Sequence, residues 1–177
     1  MTHEFSCDFM LLVAMNPFPC RFHGSPVESQ PCRFSPNLVQ KYRSKISGPL
    51  LDQIDLHLQV PIVYPSVGDQ RRGESSAVIR QLVKEGGLVQ EQQFLDSSTR
   101  SNAGMSRREL GDFATPSPAA LKLLEQAMQR MQLSARAYDR ILEVARTIAD
   151  LVGVETIDTP HLAEAVQYRG LDRPLPV

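Results

Sequence analysis

Leu133-Ser-Ala-Arg-Ala-Tyr-Asp-Arg-Ile-Leu-Glu-Val-Ala-Arg-Thr-Ile-Ala-Asp-Leu151 decides how this chain folds. Tyr138, Ile141, Leu142, Ala145, Ile148, Ala149 and Val152 recur at helical spacing, which predicts one long amphipathic helix. Ser134 is placed to cap it, and Leu133 to staple onto Tyr138. Arg136 then falls in the first turn, where the helix dipole favours a carboxylate over a cation by roughly 0.3–1 kcal/mol. Two readings follow: an exposed arginine that tolerates the dipole, or a guanidinium and a helix N-terminus aimed together at a phosphate.

Working outward, the flanking sequence is helical too. Thr159-Pro160 starts a last helix with Leu162, Val166 and Tyr168 inward and Gly170 as its terminator. Ser117-Pro118 opens a helix carrying Ala120, Leu121, Leu124, Met128 and Met131. Ser106-Arg-Arg-Glu109 is a capping box leading into Leu110 and Phe113. Residues from about Ser76 to Leu95 read as helix, with Gly86-Gly87 expected to interrupt or kink it. Amphipathic helices joined by short loops bury their apolar faces on one another, so residues from about 74 to 170 predict a helical bundle.

The front third reads differently. Phe9-Met-Leu-Leu-Val-Ala-Met15 is a short continuous apolar run stopped by Asn16-Pro17, the pattern of a strand buried in a parallel sheet. Pro17 to Pro36 is rich in Pro, Gly and Ser and reads as a loop. Ser35-Pro36 opens a helix with Leu38, Val39, Tyr42 and Ile46 on one face, and Ser47 to Ile54 forms a further short one. Leu56, Leu58 and Val60 alternate with His57 and Gln59, which predicts a half-buried strand with His57 outward. Two strands are too few for a self-standing parallel sheet, so the chain reads as the back end of an α/β domain followed by a helical domain.

Composition narrows the function classes. A net charge of -1 over 177 residues exerts no global pull toward nucleic acid or membrane. Cys7, Cys20 and Cys32 are too few for a disulfide scaffold and point to a reducing, cytoplasmic setting. No apolar run approaches the roughly 20 residues of a membrane-spanning helix, and no signal peptide is evident at the start.

Four strings, in order, make the chain resemble the magnesium-chelatase-like AAA+ ATPases of the ComM/YifB type: Leu12-Val-Ala-Met-Asn-Pro17, Ile46-Ser-Gly-Pro-Leu-Leu-Asp52 with Ile54-Asp-Leu-His57, Leu133 to Leu151, and His161-Leu-Ala-Glu-Ala-Val-Gln-Tyr-Arg169 with Leu171-Asp-Arg-Pro174. The resemblance implies a mainly α chain: residues 1–65 as the C-terminal part of an AAA+ core, with two strands and crossover helices, and residues 66–177 as its helical lid. It implies that Asn16 is a sensor 1-like residue orienting the attacking water beside the γ-phosphate, and that Arg136 is a sensor 2-like arginine reaching the nucleotide. ATP and Mg2+ are the ligands implied for the parent family, with full-length family subunits in a ring and DNA as partners.

Departures from the family pattern carry equal weight. Gln53 stands where relatives have an arginine resembling a finger into the neighbouring site, a loss worth on the order of 10³–10⁵ in rate. Phe18-Pro-Cys20 and Cys32-Arg-Phe34 keep one cysteine each of two pairs, too few for a closed zinc site even with His23, so no metal is expected. No Gly-x-x-x-x-Gly-Lys-[Ser/Thr] occurs, no lysine follows a glycine, and no Asp-Glu pair follows an apolar strand. Hydrolysis of ATP needs those groups, so none is expected from this polypeptide alone. Asp52 and Asp55 read as capping or solvated carboxylates, and Arg71-Arg72 and Arg107-Arg108 as solvated pairs or a DNA contact. Three functional readings compete: a split ATPase subunit contributing sensors, a non-catalytic module docking on full-length relatives, and a degenerate remnant.

Overall fold

Ser35 and Pro36 begin α1 (Pro36–Arg43) as expected: the Ser35 carbonyl accepts from the Leu38 amide at 3.0 Å and proline occupies the first turn, where its missing N–H costs nothing. The computed structural model describes residues 9–16, 35–43, 45, 48–60 and 73–172. These fall into two compact units, one running to Ser47 and one beginning at Gly48. In the first unit the Tyr42 hydroxyl donates to the Asn16 carbonyl at 3.1 Å.

The chain is mainly helical, and the two predicted strands are not formed. Phe9–Asn16 is irregular and exposed, with Met10 and Leu12 both 90% exposed or more. A run of this composition pairs only when neighbouring strands offer ladders and layers cover both faces, and no described residue does either. Residues 56–60 do not alternate as expected: His57 is buried, while Leu56, Leu58, Gln59 and Val60 are exposed. The His57 amide donates to the Tyr168 carbonyl at 2.7 Å, which holds this residue onto the helices. Among the described residues, β pairing is limited to an isolated parallel bridge between Pro116 and Ile157.

The second unit comprises α2 (Gly48–Leu51), α3 (Ser76–Gln93), α4 (Arg107–Phe113), α5 (Pro118–Met131), α6 (Ala135–Val152) and α7 (Thr159–Gln167), with short 3-10 turns at Asn102–Gly104 and Gly170–Asp172. Each longer helix starts on a side-chain cap. Ser75, Ser106, Ser117 and Ser134 accept from the Val78, Glu109, Ala120 and Ala137 amides, and Asp158 caps α7 with Thr159 and Pro160 following it. The Ser117 hydroxyl also donates to Asp158 at 2.8 Å, tying the starts of α5 and α7 together. Gly153 closes α6 in the left-handed conformation at φ 79°. The interruption expected at Gly86-Gly87 does not occur: α3 is continuous through both glycines. Gly86 is buried against Leu151, where an added Cβ would lie 2.8 Å from the leucine side chain, so the missing side chain is what lets α3 and α6 approach.

Helix α6 is the axis of this bundle, contacting α3, α4, α7 and the Asn102–Gly104 turn. Its apolar stripe, Ile141, Leu142, Ala145 and Ala149, joins Leu124, Ile157, Leu162 and Ala165 in the core. Phe94 and Phe113 close one end edge to face, ring centres 5.3 Å apart. Among the described residues no helix is long and apolar enough to cross a membrane.

Two outcomes follow. Leu124→Ala removes a fully buried side chain and should lower the unfolding free energy by about 2–5 kcal/mol in urea titrations followed by circular dichroism. The Glu109 carboxyl is held down at about 2, first by the Ser97 hydroxyl and then by Ser106. Its contribution to stability is therefore complete above pH 4.5 and lost as pH falls toward 2, and Ser106→Ala should move its NMR titration midpoint upward.

Candidate functional site

The N-terminal end of α6 carries the residue singled out by its charge. Ser134 accepts from the Ala137 amide at 3.1 Å, which satisfies one of the free donors of the first turn. Arg136, two residues on, is exposed, and no described residue forms a hydrogen bond or ion pair with its side chain. A free guanidinium beside helical N–H groups is chemically suited to an anion with several oxygens.

What holds that end in place lies further along the helix. Asp150, almost fully buried, accepts from Arg146 Nε at 2.8 Å and from Asn102 Nδ2 at 2.7 Å. The Arg146 guanidinium also donates to the carbonyls of Val154 and Glu155, so both nitrogens beyond Nε are used. Asn102 donates in addition to Thr147 and receives the Gln93 amide. This network ties the Asn102–Gly104 turn and the chain after α6 to the polar face of α6. A cleft of about 400 Å3 opens beside it, lined by Phe113, Arg146, Asp150 and Glu155 among others. Arg136 does not line that cleft, and three of the five N–H donors of Arg146 already go to protein oxygens.

A second cluster sits nearer the N-terminal end of α6. Arg140 pairs with Glu143 at 2.7 Å and with Asp55 at 3.2 Å, and reaches the Ala103 carbonyl at 3.4 Å. Burial pushes the Glu143 carboxyl up to about 7 against the pull of Arg140, with Asp55 and Asp139 adding to the rise. Ser134 donates to Asp52 at 3.4 Å, and Arg169, fully buried, donates to the Ile54 carbonyl. The segment Asp52–His57 is thereby strapped to the start of α6 through Ser134 and to the turn after α7 through Arg169.

The sequence-predicted residues fall in both units. Arg136 and the exposed Gln53 belong to the second unit, with Asp52, next to Gln53, bonded to Ser134. Asn16 belongs to the first unit and is exposed there. Asp55, expected to cap or to be solvated, pairs with Arg140 while its side chain stays 45% exposed, and His57 is buried rather than outward. Arg107 and Arg108 are exposed, Arg108 lying 4.0 Å from Asp112. Cys7, Cys20, His23, Cys32, Arg71 and Arg72 lie outside the described residues, and among the described ones no cluster of metal-ligating side chains occurs.

Sequence reasoning missed Asn102, Arg140, Glu143, Arg146, Asp150 and Arg169. Arg146 and Asp150 carry the familiar i, i+4 spacing of opposite charges, but they fall off the apolar stripe and so read as solvated. Only the position of α6 between neighbours on both faces buries them.

Comparison with known proteins finds two family matches along the chain. The family described as magnesium chelatase, subunit ChlI C-terminal, matches residues 73–169, and magnesium chelatase, subunit ChlI, matches residues 1–67. Competence protein ComM of Haemophilus influenzae is 38% identical over 96% of this chain and 32% of its own length. YifB of Escherichia coli is 36% identical over 93% of the chain, and YifB of Salmonella typhimurium 34% over the same share, each across 31% of its own length. The chain therefore spans about a third of the relatives it matches.

Asp150→Ala strands the buried Arg146 charge and should cost about 3–5 kcal/mol of stability, whereas Arg136→Ala should stay within about 0.5 kcal/mol. Parallel denaturation curves of the two variants check the contrast.

Proposed function

We propose, since this chain belongs to the magnesium-chelatase-like family of the ComM/YifB type, that it supplies the sensing side of an ATP site whose phosphate-gripping side lies on other residues. Residues 1–65 are the end of the nucleotide-binding core and residues 66–177 the lid. Arg136 is the sensor 2-like group that contacts phosphate, and Asn16 the sensor 1-like group that orients water. The observation that carries this reading is the exposed, unpaired Arg136 in the first turn of a capped helix that is otherwise held by buried charges.

The chemistry divides accordingly. A phosphate loop with its lysine neutralises and grips the β- and γ-phosphates, and an acidic pair holds Mg2+ and the water. Neither motif is present in these 177 residues. Arg136 adds positive charge where negative charge gathers on the γ-phosphate, which only matters once the other half is in place. ATP and Mg2+ are ligands of the assembled site, full-length family subunits in a ring are its partners, and the DNA contact belongs to that assembly. Gln53 offers no positive charge, so this chain does not activate a neighbour's site.

A docking role without catalysis is the second reading. The exposed apolar residues Phe9 to Val13, together with Leu56, Leu58 and Val60, favour it, since surfaces of this kind are normally covered.

The purified chain should show no ATP turnover and little nucleotide affinity by calorimetry. Adding a fragment that carries the family's phosphate loop should restore nucleotide binding, and Arg136→Ala should then weaken it by roughly 10- to 100-fold, the worth of a charge-assisted hydrogen bond. Turnover by the chain alone, or restored binding that Arg136→Ala leaves unchanged, contradicts the sensor reading. A complex that forms without any nucleotide binding favours the docking one.

A further inference from the structure

The strap Asp52–His57 is attached to the helical unit by four contacts: Ser134 to Asp52, Arg140 to Asp55, Arg169 to the Ile54 carbonyl, and the His57 amide to the Tyr168 carbonyl. The Arg140 contact is contested. The same guanidinium that pairs with Asp55 at 3.2 Å also pairs with Glu143 at 2.7 Å, and Glu143 is itself buried. Around Arg140 stand three carboxylates, Asp55 from the strap and Asp139 and Glu143 from α6, with the Ala103 carbonyl contributed by the Asn102–Gly104 turn. Asp52 and His57 lie farther along the strap, and Arg169 approaches it from the turn after α7.

We propose that Asp55, Arg140 and Glu143 form a proton-operated latch: with Glu143 neutral, Arg140 holds Asp55 and the strap stays docked, and with Glu143 ionised, the two carboxylates compete for one guanidinium and the strap loosens. The argument is thermodynamic linkage. The Asp55 charge disfavours ionisation of Glu143, so ionisation of Glu143 must disfavour the docking of Asp55 by the same amount. The sign is fixed by Asp55: Glu143 stands at about 7 chiefly through burial, and the docked Asp55 charge adds to that rise, so docking takes up a proton, is strongest at acid pH and weakens as pH rises toward and through 7. A proton taken up or lost near neutral pH thus changes how firmly the segment that carries Gln53 is held beside Ser134 and the start of α6. The latch depends on contacts within the helical unit alone and stands whether or not Arg136 serves a nucleotide.

Amide hydrogen exchange of the full chain, corrected for intrinsic rates, reads the docking directly through the His57 amide. Between about pH 5.5 and about pH 8 its protection should fall, about tenfold for each unit by which docking raises the Glu143 value. Glu143→Gln, which keeps the neutral shape, should hold protection constant across that range. In Asp55→Asn, the Glu143 carboxyl should titrate at lower pH by 13C NMR than in the parent chain. Protection that does not change with pH in the parent, an equal fall in Glu143→Gln, or a Glu143 midpoint unmoved by Asp55→Asn each overturns the latch.

Discussion

Asp150 is the point on which the helical unit turns. One buried carboxylate accepts from both Arg146 and Asn102, and Arg146 in turn ties down the carbonyls of Val154 and Glu155. Without it, the polar face of α6 would have to remain in water, and the Asn102–Gly104 turn could not lie against it. With it, α6 is enclosed on both faces and becomes the shaft on which α3, α4 and α7 are mounted. Breaking such a pair exposes a buried charge to an apolar setting, which is why the arrangement tolerates little change.

This enclosure also explains what could be read in advance. The helices of the second unit were legible because their signals are local: serine caps at Ser106, Ser117 and Ser134, prolines in first turns, and apolar residues at helical spacing. Local signals do not say which faces meet. The pattern on α6 marks Glu143, Arg146 and Asp150 as solvated, and only tertiary neighbours bury them. Gly86-Gly87 reads as a break for the same reason, since the cost of glycine in a helix is visible in the sequence and the packing against Leu151 that outweighs it is not.

The strands failed on non-local grounds as well. Phe9 to Met15 has the composition of a buried strand, but strand formation is a property of a sheet, and partners for its backbone are missing among the described residues. The same holds for residues 56–60, where Leu56, Leu58 and Val60 are exposed while His57 and the strap contacts face in. Of the candidate site, Arg136 was legible because a cation in a first helical turn is electrostatically anomalous, and its exposure in the fold leaves that anomaly unexplained by any protein partner. Asn16 had no comparable physical signature beyond its place after an apolar run.

On the proposed reading the helix and the free arginine belong together: α6 is tied by Asp150 at one end and by Asp52 at the other, and positioning of this kind is what a phosphate contact by Arg136 would require. A structure of this chain assembled with a phosphate-loop fragment of the family and a non-hydrolysable ATP analogue tests that claim most directly. The account predicts the Arg136 guanidinium within about 3 Å of a phosphate oxygen, with the Asp150 network unchanged. An α6 N-terminus facing solvent, with the nucleotide bound and Arg136 away from its phosphates, would contradict it.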